Sequence, residues 1–329
     1  MKCPNCGTNH RKKEGPTCSC GYNFVFNPDN DKGLTDGKFD AVIRAASKEG
    51  TYHFTENQLF AAYCRRAAGR GGTSAVIFGL IVLVVVFFWL LQGFDVFSAP
   101  GGVNFVAGVF LVVGLVGFVK KVGGRWPKIS KTQFHTYLER WRSGGHALDK
   151  LLTKPSLHDP PPQWPESDIY DYGVERILIV EHDLMVDELV LNGFHAQEKT
   201  LVFSENGYPN YIVERAQDLL KDSPDLPVYY IHDAVPAGTT PPGLAKASGL
   251  VGEDRPVVDL GLTEEDAAQI PGLKRVPKEE WGGRVPVDAL AFMGLSTLLA
   301  AALVEGMAFT QLAAARDAAG ADGGVSSFG

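Results

Sequence analysis

Four cysteines in the first 20 residues are the side chains of this sequence best suited to binding a metal ion. They form two pairs separated by eleven residues: Cys3 with Cys6, and Cys18 with Cys20. Four thiolates grouped in this way match the ligand set of a structural zinc site, because Zn²⁺ prefers tetrahedral sulfur coordination. A glycine follows the second cysteine of each pair and would let the backbone turn toward the sulfur atoms. We therefore expect a zinc ribbon over residues 1–30.

Two features leave alternatives open for this cluster. The second pair has the spacing C-x-C instead of C-x-x-C, and His10 lies between the pairs as a substitute ligand. Free thiols with a redox role are the competing interpretation. Residues 1–13 are polar and lack the apolar segment of a secretory signal, so clustered cysteines favour metal binding in a reducing compartment over disulfides. We expect the isolated Cys64 to be inert.

Two carboxylates, Glu181 and Asp233, come at or just after the ends of predicted buried strands. The predicted strands are 176–180 (RILIV), 199–204 (KTLVFS), 227–231 (PVYYI) and 257–260 (VVDL). Helical patterns alternate with these apolar runs, which predicts a mostly parallel, three-layer α/β sheet. Ligand sites in such sheets lie beyond the carboxyl ends of the strands, where both carboxylates are expected.

The sequence around these carboxylates resembles a known family. The segments that carry the resemblance are Ile179-Val-Glu181-His-Asp183, residues 202–210 (VFSENGYPN), His232-Asp233-Ala-Val235-Pro-Ala-Gly238 and residues 259–263 (DLGLT). In this order they resemble the Toprim domain of the topoisomerase VI A-type proteins and of the related meiotic break-forming proteins, over about residues 175–275. The resemblance implies that the Glu of the first strand and an Asp-x-Asp pair hold Mg²⁺ for phosphoryl transfer on DNA, since carboxylate oxygens suit this hard ion. Glu181 and Asp233 match the first two positions and are the candidate catalytic and Mg²⁺-binding residues.

Two departures from the family pattern argue against strand cleavage. Val235 occupies the position of the second Asp, and an isopropyl group cannot bind a cation. Three other carboxylates are candidates to compensate: Asp183, Asp187 and Glu205. The break-forming members also need a nucleophilic tyrosine on a winged-helix domain, and no matching motif surrounds Tyr52 or Tyr63. His232, next to Asp233, is a candidate ligand or hydrogen-bonding neighbour.

Two long apolar stretches, residues 75–91 and 103–119, predict a two-helix transmembrane hairpin over residues 73–120. Both stretches lack charged residues and are long enough to cross a hydrocarbon core of roughly 30 Å. Arginines and lysines flank the pair, whereas the connecting loop has none, so the positive-inside rule places both termini in the cytoplasm. The competing interpretation is a pair of buried helices or strands. We therefore predict a multi-pass protein of the plasma (inner) membrane.

The remaining segments complete a multidomain fold prediction. We expect a zinc ribbon, a transmembrane α-hairpin and a cytoplasmic α/β three-layer Toprim-like domain. The other predicted units are a short helical juxtamembrane module (35–70), an amphipathic helix with a Pro-rich linker (126–171), the Toprim-like domain itself (172–280), and a C-terminal helix with a flexible tail (285–329).

The functional prediction is a membrane-tethered scaffold or sensor that binds a partner or ligand through its ribbon and its Toprim-like domain. The alternative is a membrane-anchored, Mg²⁺-dependent nuclease or phosphotransfer enzyme. Besides the membrane, a protein partner or self-association is expected and nucleic acid is a candidate. The net charge of −7 argues against bulk binding of nucleic acid.

Overall fold

The computed structural model describes residues 1–11, 14–68, 126–146, 148–159 and 173–306. The chain divides into two compact units. The first comprises residues 1–39 and 65–129, and the second comprises residues 40–64 and 130–329. The predicted 73–120 hairpin, most of the Pro-rich linker and the C-terminal tail fall largely or wholly outside the described residues.

The described helices and strands have the following bounds. The strands are β1 (Phe54–Thr55), β2 (Leu151–Leu152), β3 (Arg176–Val180), β4 (Thr200–Ser204), β5 (Val228–Ile231) and β6 (Val257–Asp259). The helices are α1 (Asp36–Ala46), α2 (residues 56–68), α3 (Lys131–Ser143), α4 (Asp183–Leu191), α5 (Phe194–Gln197), α6 (Asn210–Asp222), α7 (Leu244–Val251), α8 (Glu264–Gln269) and α9 (Phe292–Glu305), with short 3-10 helices at Lys278–Trp281 and Val287–Ala289.

The first unit contains the cysteine cluster and a small apolar core next to it. Phe26 and Phe39 are both buried, with ring centroids 5.1 Å apart. The carboxylate of Asp36, in the first turn of α1, accepts hydrogen bonds from the Tyr22 hydroxyl and from the backbone amides of Val25 and Phe26, each at 2.9 Å. These bonds fix the chain that follows the cysteines to the start of α1.

The second unit is built around a four-stranded parallel sheet with the strand order β4-β3-β5-β6. Successive side chains of a strand face opposite sides, and the central strand β3 is apolar on both. Leu178 and Val180 lie in one buried cluster, whereas Ile177 and Ile179 lie in another. Full burial of each such side chain contributes about 1.5–3 kcal/mol, which explains why a continuous apolar run forms the centre of the sheet.

Helices cover both faces of this sheet, so the predicted three-layer α/β arrangement is confirmed. On one face α4 contributes Met185, Val186 and Leu189 to the first cluster. On the other face α6 and α7 contribute residues such as Ile212 and Ala247 to the second cluster. The strand β6 is short, with only three residues, and forms one edge of the sheet.

Several local predictions are confirmed. The predicted amphipathic helix is α3, whose apolar face of Phe134, Tyr137, Leu138 and Trp141 is buried. At the start of α2 the predicted capping box is present, because the Gln58 amide N–H donates to Thr55 Oγ1 and the Thr55 N–H donates to Gln58 Oε1.

The predicted fold class and location need correction. Across the described ranges, no helix combines the length and apolar character needed to cross a bilayer. The described architecture is an α/β fold with parallel sheets, and the fold prediction that included a transmembrane hairpin is wrong in that respect. The predictions of a multi-pass location in the plasma (inner) membrane and of the membrane as a partner are corrected on the same finding. Hydropathy scores the composition of a segment, and composition alone did not establish a spanning helix.

A buried acid, Glu188, lies inside the second unit on α4. The Gln58 side-chain amide donates to Glu188 Oε1 and also to the Leu290 carbonyl oxygen, at 2.8 Å in the latter case. The other oxygen, Oε2, has no hydrogen-bond partner among the described residues. Complete burial, and secondarily the charge of Asp288, raises the pKa of Glu188 well above 4.5. The side chain is therefore held as a neutral acid.

Replacing Glu188 with glutamine should remove a pH dependence of stability. Because the folded-state pKa lies above the unfolded value of 4.5, the stability that the neutral acid contributes is complete below about pH 4.5 and is lost as the pH rises. The free energy of unfolding of Glu188→Gln should therefore gain on that of the wild type above pH 4.5, by up to about 1.4 kcal/mol per pH unit. Urea denaturation between pH 5 and 8 measures this difference. The exposed Glu253→Gln serves as the control, and parallel curves for wild type and Glu188→Gln would contradict the assignment.

Candidate functional site

The two predicted carboxylates meet at the carboxyl edge of the sheet. Strands β3 and β5 run side by side with Val180 paired to Ile231, so the residues that follow them emerge at the same edge. Glu181 comes directly after β3, and Asp233 comes two residues after β5. The backbone N–H of Asp233 donates to Glu181 Oε2 at 2.8 Å. The structure therefore brings Glu181 and Asp233 together as the sequence predicts, while their catalytic and metal-binding roles remain predictions.

Arg284 binds Glu181 through a two-pronged ion pair. Its Nη1 lies 2.9 Å from Oε1 and its Nη2 lies 2.9 Å from Oε2. The same guanidinium also donates to the backbone carbonyl oxygens of Asp233 and Ala234, each at 3.3 Å. Partial burial alone would lower the pKa of Arg284, but the hydrogen bonds and charge of Glu181 raise it. Arg284 is therefore a permanent cation within the acidic centre.

His182 takes the outer oxygen of the second carboxylate. His182 Nε2 lies 2.8 Å from Asp233 Oδ2, and the backbone N–H of Val287 donates to Asp233 Oδ1 at 3.0 Å. The hydrogen bond to Asp233 raises the pKa of His182 to about 9, against a partial burial that would lower it. Each carboxylate of the centre is thus hydrogen-bonded on both of its oxygens.

His232 is a hydrogen-bonding neighbour in the structure. Its Nδ1 donates to the Asp233 carbonyl oxygen at 2.7 Å, because a carbonyl can only accept, and its Nε2 lies 3.0 Å from Asp259 Oδ1. Gly261 completes the arrangement by donating its N–H to the same Asp259 oxygen at 2.8 Å. Burial would lower the pKa of His232, but the bonds to Asp259 and to the Asp233 carbonyl raise it. These contacts tie the end of β6 to the end of β5.

Val235 occupies the position of the missing third carboxylate and is fixed in an apolar setting. Its side chain is buried, its N–H donates to the Leu262 carbonyl at 3.1 Å, and its carbonyl accepts from the Glu264 N–H at 2.9 Å. The three candidates for compensation are engaged elsewhere: Asp183 accepts from Ser204 and Asn206, Asp187 accepts from Ser156 and Tyr208, and Glu205 accepts from the Tyr230 hydroxyl. None of them replaces the lost ligand in the described residues.

These residues do not fit a three-carboxylate magnesium centre. Mg²⁺ requires near-octahedral oxygen coordination and is attracted by uncompensated negative charge. Two carboxylates remain, all four of their oxygens already accept hydrogen bonds, and Arg284 adds a positive charge. The described group that most closely resembles a ligand set here is Glu181, His182 and Asp233, with ligand atoms within 4.8 Å of one another.

A polar cleft of about 340 Å³ lies next to this centre. Its walls are formed by Asn57, His182, Asp183, Leu184, Asn206 and Asp288. The Asp288 side chain is buried and accepts hydrogen bonds from Thr55 and Asn57. Burial and the charge of Asp233 raise the pKa of Asp288. The walls are rich in amide and carboxyl groups, which suit a hydrogen-bonding ligand.

The four N-terminal cysteines form a compact cluster. The Sγ atoms of Cys3 and Cys20 lie 3.7 Å apart, and those of Cys6 and Cys18 lie 3.6 Å apart. All four sulfur atoms lie within 4.8 Å of one another. A tetrahedral zinc ion with bonds of about 2.3 Å separates its sulfur ligands by about 3.8 Å, so the donor set fits such an ion.

The local backbone explains why the cysteines converge. Gly7 and Gly21 have positive φ angles of 73° and 86°, and their N–H groups donate to the Cys3 and Cys18 carbonyls. Backbone hydrogen bonding within the second pair lowers the pKa of Cys18 to about 6, which favours the thiolate. His10 hydrogen-bonds the Gly15 carbonyl through Nε2 at 2.7 Å and takes no part in the cluster.

Sequence reasoning missed Arg284. It lies 103 residues after Glu181, beyond the last predicted strand and just after a Gly-Gly pair, where no periodicity marks it as part of a site. His182 was more accessible to prediction, because it directly follows Glu181 and the helix α4 begins at the next residue.

Comparisons with known proteins agree with this placement. Residues 176–241 match the Toprim domain of the topoisomerase 6 A/Spo11 family. The chain is 31% identical over 99 residues to the A-type protein of the type 2 DNA topoisomerase 6 from Saccharolobus shibatae, covering 30% of this chain and 25% of that protein. The corresponding protein of Sulfurisphaera tokodaii is 30% identical over 99 residues, covering 30% of this chain and 26% of that protein. No solved structure matches the chain.

These matches identify a Toprim domain of the topoisomerase 6 A/Spo11 type within the chain. The matched region contains β3, β4 and β5, and therefore both Glu181 and Asp233. The chain spans only about a quarter of the length of the curated relatives that it matches.

Substituting Gly261 with alanine should disrupt the edge of this site. A methyl group there would overlap the His232 imidazole, and His232 is held by bonds at both ring nitrogens. We expect the free energy of unfolding to fall by about 1–3 kcal/mol. Gly249→Ala is the matched control, because a methyl group on this helical residue meets nothing within 4 Å and should raise stability by up to about 1 kcal/mol. Urea denaturation compares the two, and equal stability of Gly261→Ala and wild type would refute the described packing.

Proposed function

We propose that this chain is a DNA-associated binding protein whose Toprim domain does not cleave its ligand. The match of residues 176–241 to the Toprim domain and the names of the two DNA topoisomerase relatives support the association with DNA. The observation that carries the absence of cleavage is Val235, which stands buried where the family has its third metal-binding carboxylate. This proposal keeps the predicted binding role and omits the membrane.

The chemistry of phosphoryl transfer explains the importance of Val235. A divalent ion in such a site would stabilise the charge that develops at the transferring phosphate. With one ligand replaced by an isopropyl group, the remaining pair offers weaker attraction for the ion. The described residues then act by holding the carboxyl edge in one shape, and the polar cleft beside His182 offers hydrogen-bonding groups to a ligand.

The cysteine cluster is proposed to hold one zinc ion. The sulfur separations of 3.6 and 3.7 Å support this assignment, since they are close to the edge of a tetrahedral zinc–sulfur site. The ion would stabilise a segment that has few apolar side chains, and the folded segment would serve for docking. A protein partner or self-association stays a prediction for this part of the chain.

The second candidate function is a metal-dependent nuclease. It is favoured by one observation, the gathering of ligand atoms from Glu181, His182 and Asp233 within 4.8 Å. An imidazole and two carboxylates make a suitable ligand set for a divalent transition-metal ion such as Mn²⁺. Cleavage assays that include Mn²⁺ as well as Mg²⁺ discriminate between the candidates.

DNA binding without cleavage is the first expected result. In fluorescence anisotropy, the full-length protein should bind a labelled duplex with an affinity that is similar in EDTA and in Mg²⁺ and that falls as salt rises, because phosphate contacts release counterions. Gel analysis of the same mixtures should show intact DNA. Cleavage in Mg²⁺ or Mn²⁺ that disappears in both Glu181→Gln and Asp233→Asn would establish the nuclease instead. The absence of binding to any DNA would refute the association.

Zinc binding by the cysteine cluster is the second expected result. Native mass spectrometry of the full-length protein should show one zinc ion per chain. Cys18→Ser should lose the ion, because the tetrahedral site then lacks one thiolate. Cys64→Ser, a change outside the cluster, should retain it. A metal-free chain with disulfides among the first four cysteines would contradict the proposal.

A further inference from the structure

The guanidinium of Arg284 occupies the position of a bridging cation at the acidic centre. It contacts both oxygens of Glu181 and the backbone carbonyls of Asp233 and Ala234. These acceptors come from the ends of two neighbouring strands, β3 and β5. A single positive group therefore joins the two segments that carry the acidic pair.

Apolar packing fixes Arg284 in this position. The next residue, Val285, is buried, and its carbonyl accepts from the Ala234 N–H at 2.9 Å. Val287 is fully buried, and its N–H donates to Asp233 Oδ1 at 3.0 Å. The backbone on the C-terminal side of Arg284 is thus bound to the same loop that its side chain contacts. An exposed arginine on a mobile surface would lack these restraints.

The two departures from the family pattern compensate each other in charge. Val235 removes one negative charge from the centre, and Arg284 provides one positive charge where the family pattern implies a divalent ion. Three carboxylates with a divalent cation and two carboxylates with a univalent cation have the same net charge. The substitution at Val235 therefore leaves a centre that a guanidinium can balance.

We propose that Arg284 replaces the divalent cation in this Toprim domain and makes its carboxyl edge independent of metal. Arg284 is a positioning residue: it holds the Glu181 carboxylate and the loop after β5 in a fixed geometry. The inference concerns the same site as the proposed function and gives the reason why the edge keeps its shape without Mg²⁺. It does not depend on whether the ligand is DNA.

Metal titration of the full-length protein tests this replacement. At 10 mM Mg²⁺, a site with a Kd of about 1 mM would raise the Tm by about 3–5 °C. We expect the wild-type Tm to move by less than about 1 °C between EDTA and 10 mM Mg²⁺, since no such site is available. Electron paramagnetic resonance should show that Mn²⁺ added to the protein after saturation of the cysteine cluster with zinc remains free.

A double variant, Val235→Asp with Arg284→Gln, should restore the dependence on metal. It returns the third carboxylate and removes the internal cation, so its Tm should be lower than that of the wild type in EDTA and should rise with Mg²⁺ by at least about 3 °C. Arg275→Gln, at an exposed arginine outside the site, is the matched control and should behave as the wild type. If the double variant does not fold, the wild-type Mn²⁺ measurement decides alone.

Binding of Mg²⁺ or Mn²⁺ by the wild type that is lost in Glu181→Gln would overturn the replacement. So would a folded double variant whose Tm does not respond to Mg²⁺. These outcomes are separate from those of the proposed function. A protein that ignores metal and fails to bind DNA would refute only the association with DNA, whereas one that binds Mg²⁺ at Glu181 and leaves DNA intact would refute only the role of Arg284.

Discussion

The ion pair between Glu181 and Arg284 is the contact on which the arrangement of the site depends. Glu181 is largely shielded from solvent at the end of a central strand, and an unpaired carboxylate there would carry a large desolvation cost. The guanidinium removes this cost and, through its further bonds to the Asp233 and Ala234 carbonyls, sets the path of the loop after β5. Asp233 is then positioned for His182 and for the Val287 amide. One buried charge and its partner thus organise three separate segments.

This interaction separates the Toprim fold from the chemistry that its family implies. The parallel sheet and the placement of two carboxylates at its edge follow the family pattern, and residues 176–241 match the family's Toprim domain. The balance of charge at the edge does not follow that pattern, because Val235 and Arg284 change it in a coordinated way. A fold can therefore be retained while its site acquires a different electrostatic solution.

The sequence predicted the sheet and the acidic pair because both depend on local pattern. Short apolar runs mark buried strands, and Glu181 follows one of them directly, so parallel pairing alone brings it to Asp233. Arg284 was not predictable in this way, because its position depends on a distant segment whose two buried valines pack under the sheet edge. The membrane prediction failed for a related reason, since it relied on the composition of residues 73–120 without any tertiary information. Of the cysteine cluster, spacing predicted the gathering of the thiols, and the zinc itself remains a proposal.

The strand β6 gives the sheet a short, irregular border on one side. It has three residues, Val258 on it is partly exposed, and the chain after Asp259 turns away to form the bonds around His232. An edge strand of this length presents few unpaired backbone donors and acceptors in a row. A second polypeptide that added itself to this border would gain little hydrogen bonding, so this side of the sheet resists the edge-to-edge association through which parallel sheets otherwise aggregate.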